Sequence, residues 1–427
     1  MTKKRIIRLI CILSVASAMH SRTVFAAVDS ETIEDEEEVI CSSWSDEKAE
    51  EIDTLVESVR EAVEVPSFSV GIVCRERLVY AKATGYRRLS DASPATTETR
   101  YQIGSISKAI TATLLAILVD RGDLALDDPI SKFLPPSVEL PRYRGSKTEI
   151  TVWHLATHSA GLPRDPPNRK NIWHGVFLNP GQARPYSIEE LYKGLQKTRL
   201  RFEPGTAYNY SNFGYGLLGH ILERAARQPL TELLKVSLFH PLGMDDTTIE
   251  LEPDKLTDFA THYWADDRKR PRIDRPATQF GEIFAHGGMV SSVHDLAHFI
   301  SYQLGAHQRS KPPAMISAIR TPQRSANGEP FILQRDDISM EMAIGWRVQS
   351  PEKNGGIVNH SGEMDGHSAF LAFAPEAEIG IIVLANLGGA RNRKANPTAA
   401  VQLGIKLKEA ILYPALGWDT SDALAKE

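Results

Sequence analysis

Hydrophobic residues recur at helical spacing between positions 47 and 63, and this periodicity predicts an amphipathic helix at the start of the folded chain. Two runs rich in apolar and β-branched residues follow at 68–74 and 77–84, separated by two polar residues. Short runs of this kind around a tight polar turn are typical of a β-hairpin. The fold is therefore predicted to begin with a helix and two antiparallel strands.

The end of the chain carries a second pair of strand-like runs. Residues 367–373 and 379–384 flank the turn-forming sequence 375–378, and residues 402–412 have the pattern of a closing helix. Strands from the two ends would then share one mainly antiparallel sheet. Between them, an apolar helical run at 109–118 opens a series of helical segments that continues to residue 298, which predicts a separate helical lobe.

The composition of the chain fits a globular protein of this kind. Its 427 residues, 42% of them hydrophobic, are enough to bury a sizeable core. The formal net charge is −5 and no basic face is clustered, so we exclude nucleic acid as a partner. We predict one catalytic unit with two lobes at residues 46–415, followed by a C-terminal tail at 416–427.

The N-terminus has the features of a targeting segment. Basic residues are concentrated in the first eight positions, residues 9–19 are apolar, and the sequence at 24–26 offers small residues for cleavage. This pattern predicts a signal peptide at 1–26 and export to the periplasm or the medium. A mitochondrial transit peptide is the alternative, since the first 28 residues contain no acid. The apolar run is too short to span a bilayer, so the mature chain is predicted to have no stable membrane span.

Residues 27–45 are predicted to be disordered, because the like charges at 34–38 favour a solvated tail. Beyond the signal peptide the chain contains two cysteines, Cys41 and Cys74. In an oxidising compartment they could form a disulfide, and two separate free thiols are the other interpretation. Neither has other metal-binding residues at ligand spacing, so we assign no metal site to them.

The first stretch that indicates chemistry is Ser105-Ile106-Ser107-Lys108. Residues three apart lie on one face of a helix, about one turn apart. Ser105 would occupy the helix N-terminus, where unpaired N–H groups and the helix dipole favour developing negative charge. A desolvated Lys108 could lose its proton near neutral pH and act as a base, which makes Ser105 the candidate nucleophile. Because a lone Ser-x-x-Lys match is common by chance, the assignment depends on further motifs.

Two further motifs lie downstream, Tyr210-Ser211-Asn212 and His360-Ser361-Gly362. The order Ser-x-x-Lys, Tyr-x-Asn and basic-x-Gly resembles the serine hydrolases of the penicillin-binding protein and β-lactamase superfamily. The tyrosine of the second motif resembles the class C β-lactamase branch, which also includes DD-carboxypeptidases, D-amino-acid peptidases and esterases. The resemblance extends from residue 52 to residue 412, and further segments fit the same branch at 157–163, 241–247 and 287–292.

The resemblance implies both a fold and a mechanism. The fold is an α+β protein of the β-lactamase/transpeptidase type, an α/β/α sandwich with a mainly antiparallel sheet flanked by helices plus an all-helical lobe. Its active site lies in the cleft between the lobes. Ser105 would attack a carbonyl carbon to form an acyl-enzyme, Lys108 would take its proton, and Tyr210 would pass a proton to the leaving group. No cofactor is implied.

The resemblance also implies a set of substrate-binding groups. Asn212 would bind a substrate carbonyl and orient Lys108. The backbone N–H groups of Ser105 and Glu363 would form the oxyanion hole. The third motif would contribute the remaining substrate-binding residues, His360, Ser361 and Gly362.

His360 departs from the class C pattern, in which the third motif carries lysine. A lysine there helps to bind a substrate carboxylate, whereas a histidine is mostly neutral at pH 7 and is a weaker anion anchor. The departure favours peptide or ester substrates over efficient antibiotic hydrolysis.

Two pairs of histidines have the i, i+4 spacing of metal ligands, His154 with His158 and His294 with His298. Neither pair includes the glutamate of the His-Glu-x-x-His pattern, and no third ligand is evident in the sequence. They are therefore predicted to be structural histidines, with no metal at the site.

We therefore predict an exported serine hydrolase that forms an acyl-enzyme on a β-lactam, a D-amino-acid peptide or an ester. The alternative is a non-hydrolytic penicillin-binding or peptidoglycan-recognising sensor that uses the same cleft. The complete set of Ser105, Lys108 and Tyr210 favours the enzyme, because a pure binder does not need all three. Residues 164–186 are expected to set substrate specificity, and the sequence gives no indication of an oligomeric state.

Overall fold

The computed structural model describes residues 44–168, 185–249, 258–265, 271–273, 280–335, 338–350, 352, 356–364, 366–388 and 398–418. The predicted signal peptide, nearly all of the acidic segment, Cys41 and most of the expected specificity loop lie outside these ranges. Cys74 is disulfide-bonded. Among the described residues, no helix is both long enough and apolar enough to cross a membrane.

A nine-stranded antiparallel sheet forms the centre of the fold. The described strands are β1 (Ser67–Cys74), β2 (Arg77–Arg88), β3 (Ser93–Pro94), β4 (Tyr101–Gln102), β5 (Tyr263–Ala265), β6 (Pro271–Ile273), β7 (Val290–Ser291), β8 (Ile332–Arg335), β9 (Ile338–Met342), β10 (Arg347–Gln349), β11 (Ile357–Glu363), β12 (Ser368–Ala374), β13 (Ile379–Ala385) and β14 (Leu387–Gly388). The large sheet has the order β3-β2-β1-β13-β12-β11-β10-β9-β8. Phe68 of β1 lies opposite Ala385 of β13, which confirms that strands from both ends of the chain share one sheet.

Helices cover both faces of this sheet. The described helices are α1 (Asp46–Val63), α2 (Ser107–Arg121), α3 (Val152–Ala156), α4 (Ile188–Lys197), α5 (Asn212–Ala226), α6 (Leu230–Leu234), α7 (His240–Leu242), α8 (Val293–Leu304), α9 (Met315–Arg320), α10 (Ala399–Leu407) and α11 (Tyr413–Ala415). Single 3₁₀ turns occur at Gly104–Ile106, Ile130–Phe133 and Phe284–His286, and π-helical turns at Lys235–Phe239 and Lys408–Leu412.

Alternation of side chains along the strands divides the interior into two hydrophobic layers. On β12, Leu371 and Phe373 belong to the larger layer, which includes α2 and α8, because successive strand residues point to opposite faces. Phe370 and Ala372 belong to the other layer, which packs against α1 and α10. The protein is therefore the predicted α+β fold, with helices on both faces of an antiparallel sheet.

The packed part of the chain ends later than the sequence pattern predicted. Trp418 is buried, and its ring centroid lies 5.7 Å from that of Tyr413. Leu416 and Trp418, which were placed in the C-terminal tail, therefore pack with the domain.

A short ribbon and a 3₁₀ turn fix the first motif against the sheet. Strands β4 and β7 pair, and the turn Gly104–Ile106 follows β4 and leads directly into α2. Strand β11 passes very close to this turn, since a Cβ on Gly362 would lie 1.9 Å from the carbonyl oxygen of Ile103. Only glycine allows such an approach of two backbones. The N-terminus of α2 is therefore held beside β11.

Candidate active site

Ser105 lies in the 3₁₀ turn that precedes α2, and its side chain is half-buried. Gly104, the residue before it, has φ of 52°, a left-handed conformation that favours glycine. The turn places the hydroxyl of Ser105 beside side chains from two other parts of the chain. Its Oγ lies 3.3 Å from Lys108 Nζ and 2.8 Å from the Tyr210 hydroxyl.

Lys108 is completely buried at the start of α2. Its Nζ bonds Asn212 Oδ1 over 3.0 Å and also donates to the backbone carbonyl of His286. Burial lowers the pKa of Lys108 below its ordinary value, although the neighbouring Tyr210 opposes this shift. The structure thus provides the desolvated lysine that the sequence pattern suggested, in contact with the predicted nucleophile.

Tyr210 donates its hydrogen bond to Ser105 from a part of the chain 105 residues away. Burial alone would raise the pKa of its phenol, but the charges of Lys108 and Arg347 and the hydrogen bonds with Lys108 and Ser105 outweigh the effect of burial. The net result is a lowered pKa for Tyr210. A phenol in this state can take up and release a proton closer to neutral pH than an ordinary tyrosine.

Asn212 begins helix α5 and uses both ends of its side-chain amide. The Oδ1 accepts from Lys108, and the Nδ2 donates to Asp165 Oδ1 over 3.0 Å. The amide oxygen therefore bonds Lys108, the contact through which the resemblance implies that Asn212 orients the lysine. Asp165 was not anticipated from the sequence; it lies in the loop after α3 and fixes which way the Asn212 amide points.

The third motif lies on β11, against the turn that carries Ser105. A Cβ on Gly362 would come within 3.2 Å of the Ser105 backbone nitrogen, and one on Gly104 within 2.7 Å of the Glu363 nitrogen. The two predicted oxyanion donors, Ser105 N–H and Glu363 N–H, are thus on adjoining backbone segments. Two neighbouring backbone donors of this kind are what the oxyanion hole implied by the resemblance would use.

His360 is buried, with 1% of its surface exposed. Its Nδ1 lies 2.9 Å from the carbonyl of Ser361, and a carbonyl only accepts, so the Nδ1 carries the proton. Burial lowers the pKa of His360 well below its ordinary value, and the charges of Arg347 and Lys108 lower it further. His360 is therefore a neutral group, as expected for a histidine at the position where class C enzymes have lysine.

Arg347 brings a positive charge to the third motif from the neighbouring strand. It lies on β10, is 8% exposed, and donates from Nη1 to Ser361 Oγ over 3.0 Å. Sequence reasoning missed this residue, because a lone arginine in a three-residue strand belongs to no recognisable motif. A second arginine, Arg164, lies with its guanidinium carbon 5.2 Å from the centroid of the Tyr210 ring.

The histidine pairs noted in the sequence do not form metal sites with other residues that the structure describes. His154 Nδ1 accepts a bond of 2.9 Å from the backbone N–H of Thr151 and caps α3. Across the described ranges, no three His, Cys, Asp or Glu side chains are grouped as metal ligands would be.

Comparison with known proteins agrees with this geometry. The family profile described as Beta-lactamase matches residues 52–404. Protein flp of Staphylococcus aureus (strain MRSA252) is 26% identical over 343 residues, and the match covers 80% of this chain but only 64% of flp. The D-alanyl-D-alanine-carboxypeptidase/endopeptidase AmpH of Escherichia coli (strain K12) is 29% identical over 289 residues, 66% of this chain and 70% of AmpH.

A solved structure gives the same assignment. The class C beta lactamase from Rhodobacter sphaeroides superposes with a TM-score of 0.64 and 26% identity, over 84% of this chain and 99% of that chain. The match confirms the predicted type of fold. Because the family profile covers most of the chain, the protein belongs to the beta-lactamase family of serine hydrolases, as the three motifs predicted.

Proposed function

We propose that this protein forms an acyl-enzyme at Ser105 and hydrolyses amides whose substrate carries a carboxylate close to the scissile bond. Peptides ending in a D-amino acid and β-lactams both have this feature. The observation that carries the proposal is the bond between Arg347 and Ser361, next to the cluster of Ser105, Lys108 and Tyr210. AmpH, one of the relatives, is named as a D-alanyl-D-alanine carboxypeptidase, which supports the same substrate class.

Arg347 and Ser361 have the chemistry of a carboxylate anchor. A guanidinium is always charged and matches the planar geometry of a carboxylate. Ser361 Oγ accepts from Arg347, so its own O–H remains able to donate to a bound anion. The weak anion binding expected from His360 is therefore compensated by a cation on the adjacent strand.

The proton transfers follow from the contacts of Ser105. During acylation, Ser105 Oγ bonds to the substrate carbonyl carbon and gives its proton to the coupled Lys108 and Tyr210. Tyr210 returns a proton to the leaving nitrogen as the C–N bond breaks, and the N–H groups of Ser105 and Glu363 stabilise the oxyanion. A water molecule then hydrolyses the ester, which releases the acid and regenerates Ser105.

A substrate panel tests the proposal. The values of kcat/KM are compared for an N-acyl peptide ending in D-alanyl-D-alanine, the same peptide with a C-terminal amide, its L-alanine isomer and a neutral aryl ester. We expect the free acid of the D-peptide to exceed its amide by at least about tenfold, since a charged hydrogen bond contributes roughly 1.5–3 kcal/mol. Cleavage of the neutral ester alone would identify an esterase and reject the carboxylate anchor.

The alternative, a sensor that does not hydrolyse its ligand, is separated by the lifetime of the acyl-enzyme. A hydrolase releases the penicillin-derived adduct with turnover, whereas a sensor keeps it. The placement of the water that deacylates the enzyme decides between them, and an intact-mass time course of the penicillin adduct measures the lifetime.

We also propose that the chain is exported, on the basis of the basic, apolar and small-residue pattern of residues 1–26. Cell fractionation of the full-length chain and of a variant lacking residues 2–26 tests this. Export predicts that the full-length protein reaches the periplasm or the medium and that the truncated protein does not.

A further inference from the structure

His158 occupies a backbone position that ordinarily takes glycine. Helix α3 ends at Ala156 with Thr157 as its C-cap, and the next residue, His158, has φ of 59°. The amide of Ser159 bonds His154 O over 2.9 Å, and the amide of His158 bonds Leu155 O over 3.3 Å. These two bonds define a helix end whose left-handed residue is usually glycine. A side chain other than that of glycine is strained in this conformation, so the histidine is locally unfavourable.

In this left-handed conformation, two hydrogen-bond acceptors of His158 lie against the segment that carries Tyr210. Its backbone carbonyl accepts from the N–H of Asn209 over 2.9 Å, and its Nδ1 accepts from the N–H of Ser211 over 3.0 Å. His158 thus binds the residue before Tyr210 and the residue after it. An Nδ1 that accepts must belong to a neutral ring with its proton on Nε2.

The imidazole also packs against the phenol itself. The ring centroids of His158 and Tyr210 are 4.5 Å apart and the planes are inclined by 34°, and a second contact, at 4.8 Å, joins His158 to Tyr215. His158 is 4% exposed. Burial lowers the pKa of His158 well below its ordinary value, which keeps the ring neutral. The ionisable groups that face it are Lys108, Arg164, Tyr208, Tyr210, Tyr215, Arg347 and His360.

We propose that His158 is a positioning residue that holds the Tyr210 hydroxyl against Ser105, by binding both neighbours of Tyr210 and covering one face of its ring. His158 need not touch the substrate to do this. The effect of His158 on the rate of acylation rests on the proposed function, in which Tyr210 transfers protons. The placement of the Tyr210 phenol is independent of the proposed function and can be measured without a substrate.

Two variants separate the contacts of His158, and a third variant at His154 is the control. His158→Phe keeps an aromatic ring but leaves the N–H of Ser211 without its acceptor. His158→Asn keeps a side-chain acceptor and tolerates the left-handed backbone, but removes the ring contact. His154→Asn is the matched control, because His154 lies on the same turn and bonds Thr151 instead of the second motif.

The direct readout is the ionisation of the Tyr210 phenol, which is monitored by NMR of protein labelled at tyrosine Cζ. The Tyr210 resonance is assigned by its absence from the spectrum of Tyr210→Phe. We expect His158→Phe to raise the pKa of Tyr210 by about one unit or more, because a displaced phenol moves away from Lys108. His154→Asn should leave this titration unchanged, whatever it does to the melting temperature. An unchanged Tyr210 titration in folded His158→Phe overturns the inference; if that variant does not fold, His158→Asn serves in the same comparison.

A double-mutant cycle provides the kinetic test. His158→Phe should slow acylation by a penicillin about 10- to 100-fold in the wild-type background and have almost no effect in a Tyr210→Phe background. An equal slowing in both backgrounds means that His158 does not act through Tyr210. If the wild-type protein forms no acyl-enzyme but His158→Phe still shifts the phenol titration, the proposed function fails and the placement stands.

Discussion

Tyr210 donates a hydrogen bond of 2.8 Å to the hydroxyl of Ser105, across 105 residues of chain. Lys108 Nζ lies 3.3 Å from the same oxygen, so the serine contacts two groups, either of which can accept its proton once it has lost its own. The Nζ of Lys108 is also 4.9 Å from the centre of the Tyr210 ring. The two groups interact closely and will titrate as a pair with shared apparent pKa values.

This pair predicts the pH dependence of acylation. Burial lowers the pKa of Lys108. The pKa of Tyr210 is also lowered, because the charges of Lys108 and Arg347 outweigh the opposite effect of burial. A deprotonated base is therefore present at lower pH than isolated side chains would allow. We expect the acylation rate to rise with pH and reach a plateau below about pH 10, the ordinary pKa of tyrosine. Stopped-flow acylation by a chromogenic cephalosporin measures this rate as a function of pH. A rate that still rises tenfold per pH unit through pH 10 would contradict the lowered pKa values of Lys108 and Tyr210.

Arg347→Gln should impair the recognition of carboxylates, and should add a smaller loss on every substrate because the charge of Arg347 also lowers the pKa of Tyr210. The change removes the charge beside Ser361, and a charge-assisted hydrogen bond contributes roughly 1.5–3 kcal/mol. We expect kcat/KM for a peptide with a free terminal carboxylate to fall roughly 10- to 100-fold, and that for its C-terminal amide to change much less. Arg324→Gln, at an arginine whose side chain is 55% exposed and pairs with Glu341, is the control and should affect neither peptide. Equal losses on both peptides would reject the carboxylate anchor and leave Arg347 its effect on the pKa of Tyr210.

Lys408→Met should stabilise the protein at neutral pH. Burial lowers the pKa of Lys408 to about 8, and its Nζ bonds Gln349 Oε1. Because the folded pKa lies below the unfolded one, native stability decreases as pH falls from about 10.5 through 8 and stays reduced below that range. We expect a gain on the order of 1–3 kcal/mol at pH 7 that disappears near pH 10.5. Denaturant unfolding at pH 7 and near pH 10.5 measures this gain in the free energy of unfolding. The control is Lys406→Met, at an exposed lysine. A gain in Lys408→Met that is independent of pH would show that the lowered pKa of Lys408 is not its cause.

Acid should destabilise the fold through a buried pair of histidines. His262 and His367 stack with centroids 4.1 Å apart, and burial lowers the pKa of His262 to about 4 and that of His367 well below its ordinary value. Below about pH 6.5 the unfolded chain binds protons that the native state does not, so the free energy of unfolding falls as pH drops toward 4. His262 alone accounts for about 3 kcal/mol of this fall.

His262→Gln tests the contribution of this pair to acid sensitivity. A glutamine can still donate to the side-chain oxygen of Gln102, as His262 does over 2.9 Å, but it cannot titrate. Its unfolding free energy should therefore depend less on pH between 6.5 and 4 than that of the wild type. His294→Gln, at a histidine whose side chain is 45% exposed, should keep the wild-type slope. Parallel curves for wild type and His262→Gln would mean that other groups cause the acid sensitivity.

Local patterns were sufficient to predict much of this fold. Strand β1 begins at Ser67, one position before the predicted run, and β13 covers the predicted 379–384 with one further residue. Both strands are buried on both faces, so they appear in the sequence as continuous apolar runs. The spacing of Ser105 and Lys108 was equally informative, because helix geometry alone brings residues three apart together.

Arg347 and Asp165 could not be predicted, because each reaches the site through a tertiary contact. Arg347 meets Ser361 only because β10 pairs with β11, and β10 is three residues long, too short for a periodic pattern. Asp165 meets Asn212 across 47 residues from a loop with no regular structure. His158 was visible in the sequence as one of a histidine pair, but its role depends on a left-handed backbone that no spacing reveals.

The most direct test of the mechanism is an intact-mass time course of the wild-type protein and of Ser105→Ala with a penicillin and a fluorophosphonate probe. We predict a single covalent adduct on the wild-type protein with at least one of the two reagents and none on the folded variant. An equal adduct on Ser105→Ala, or full hydrolytic activity in that variant, would contradict the assignment of Ser105 as the nucleophile.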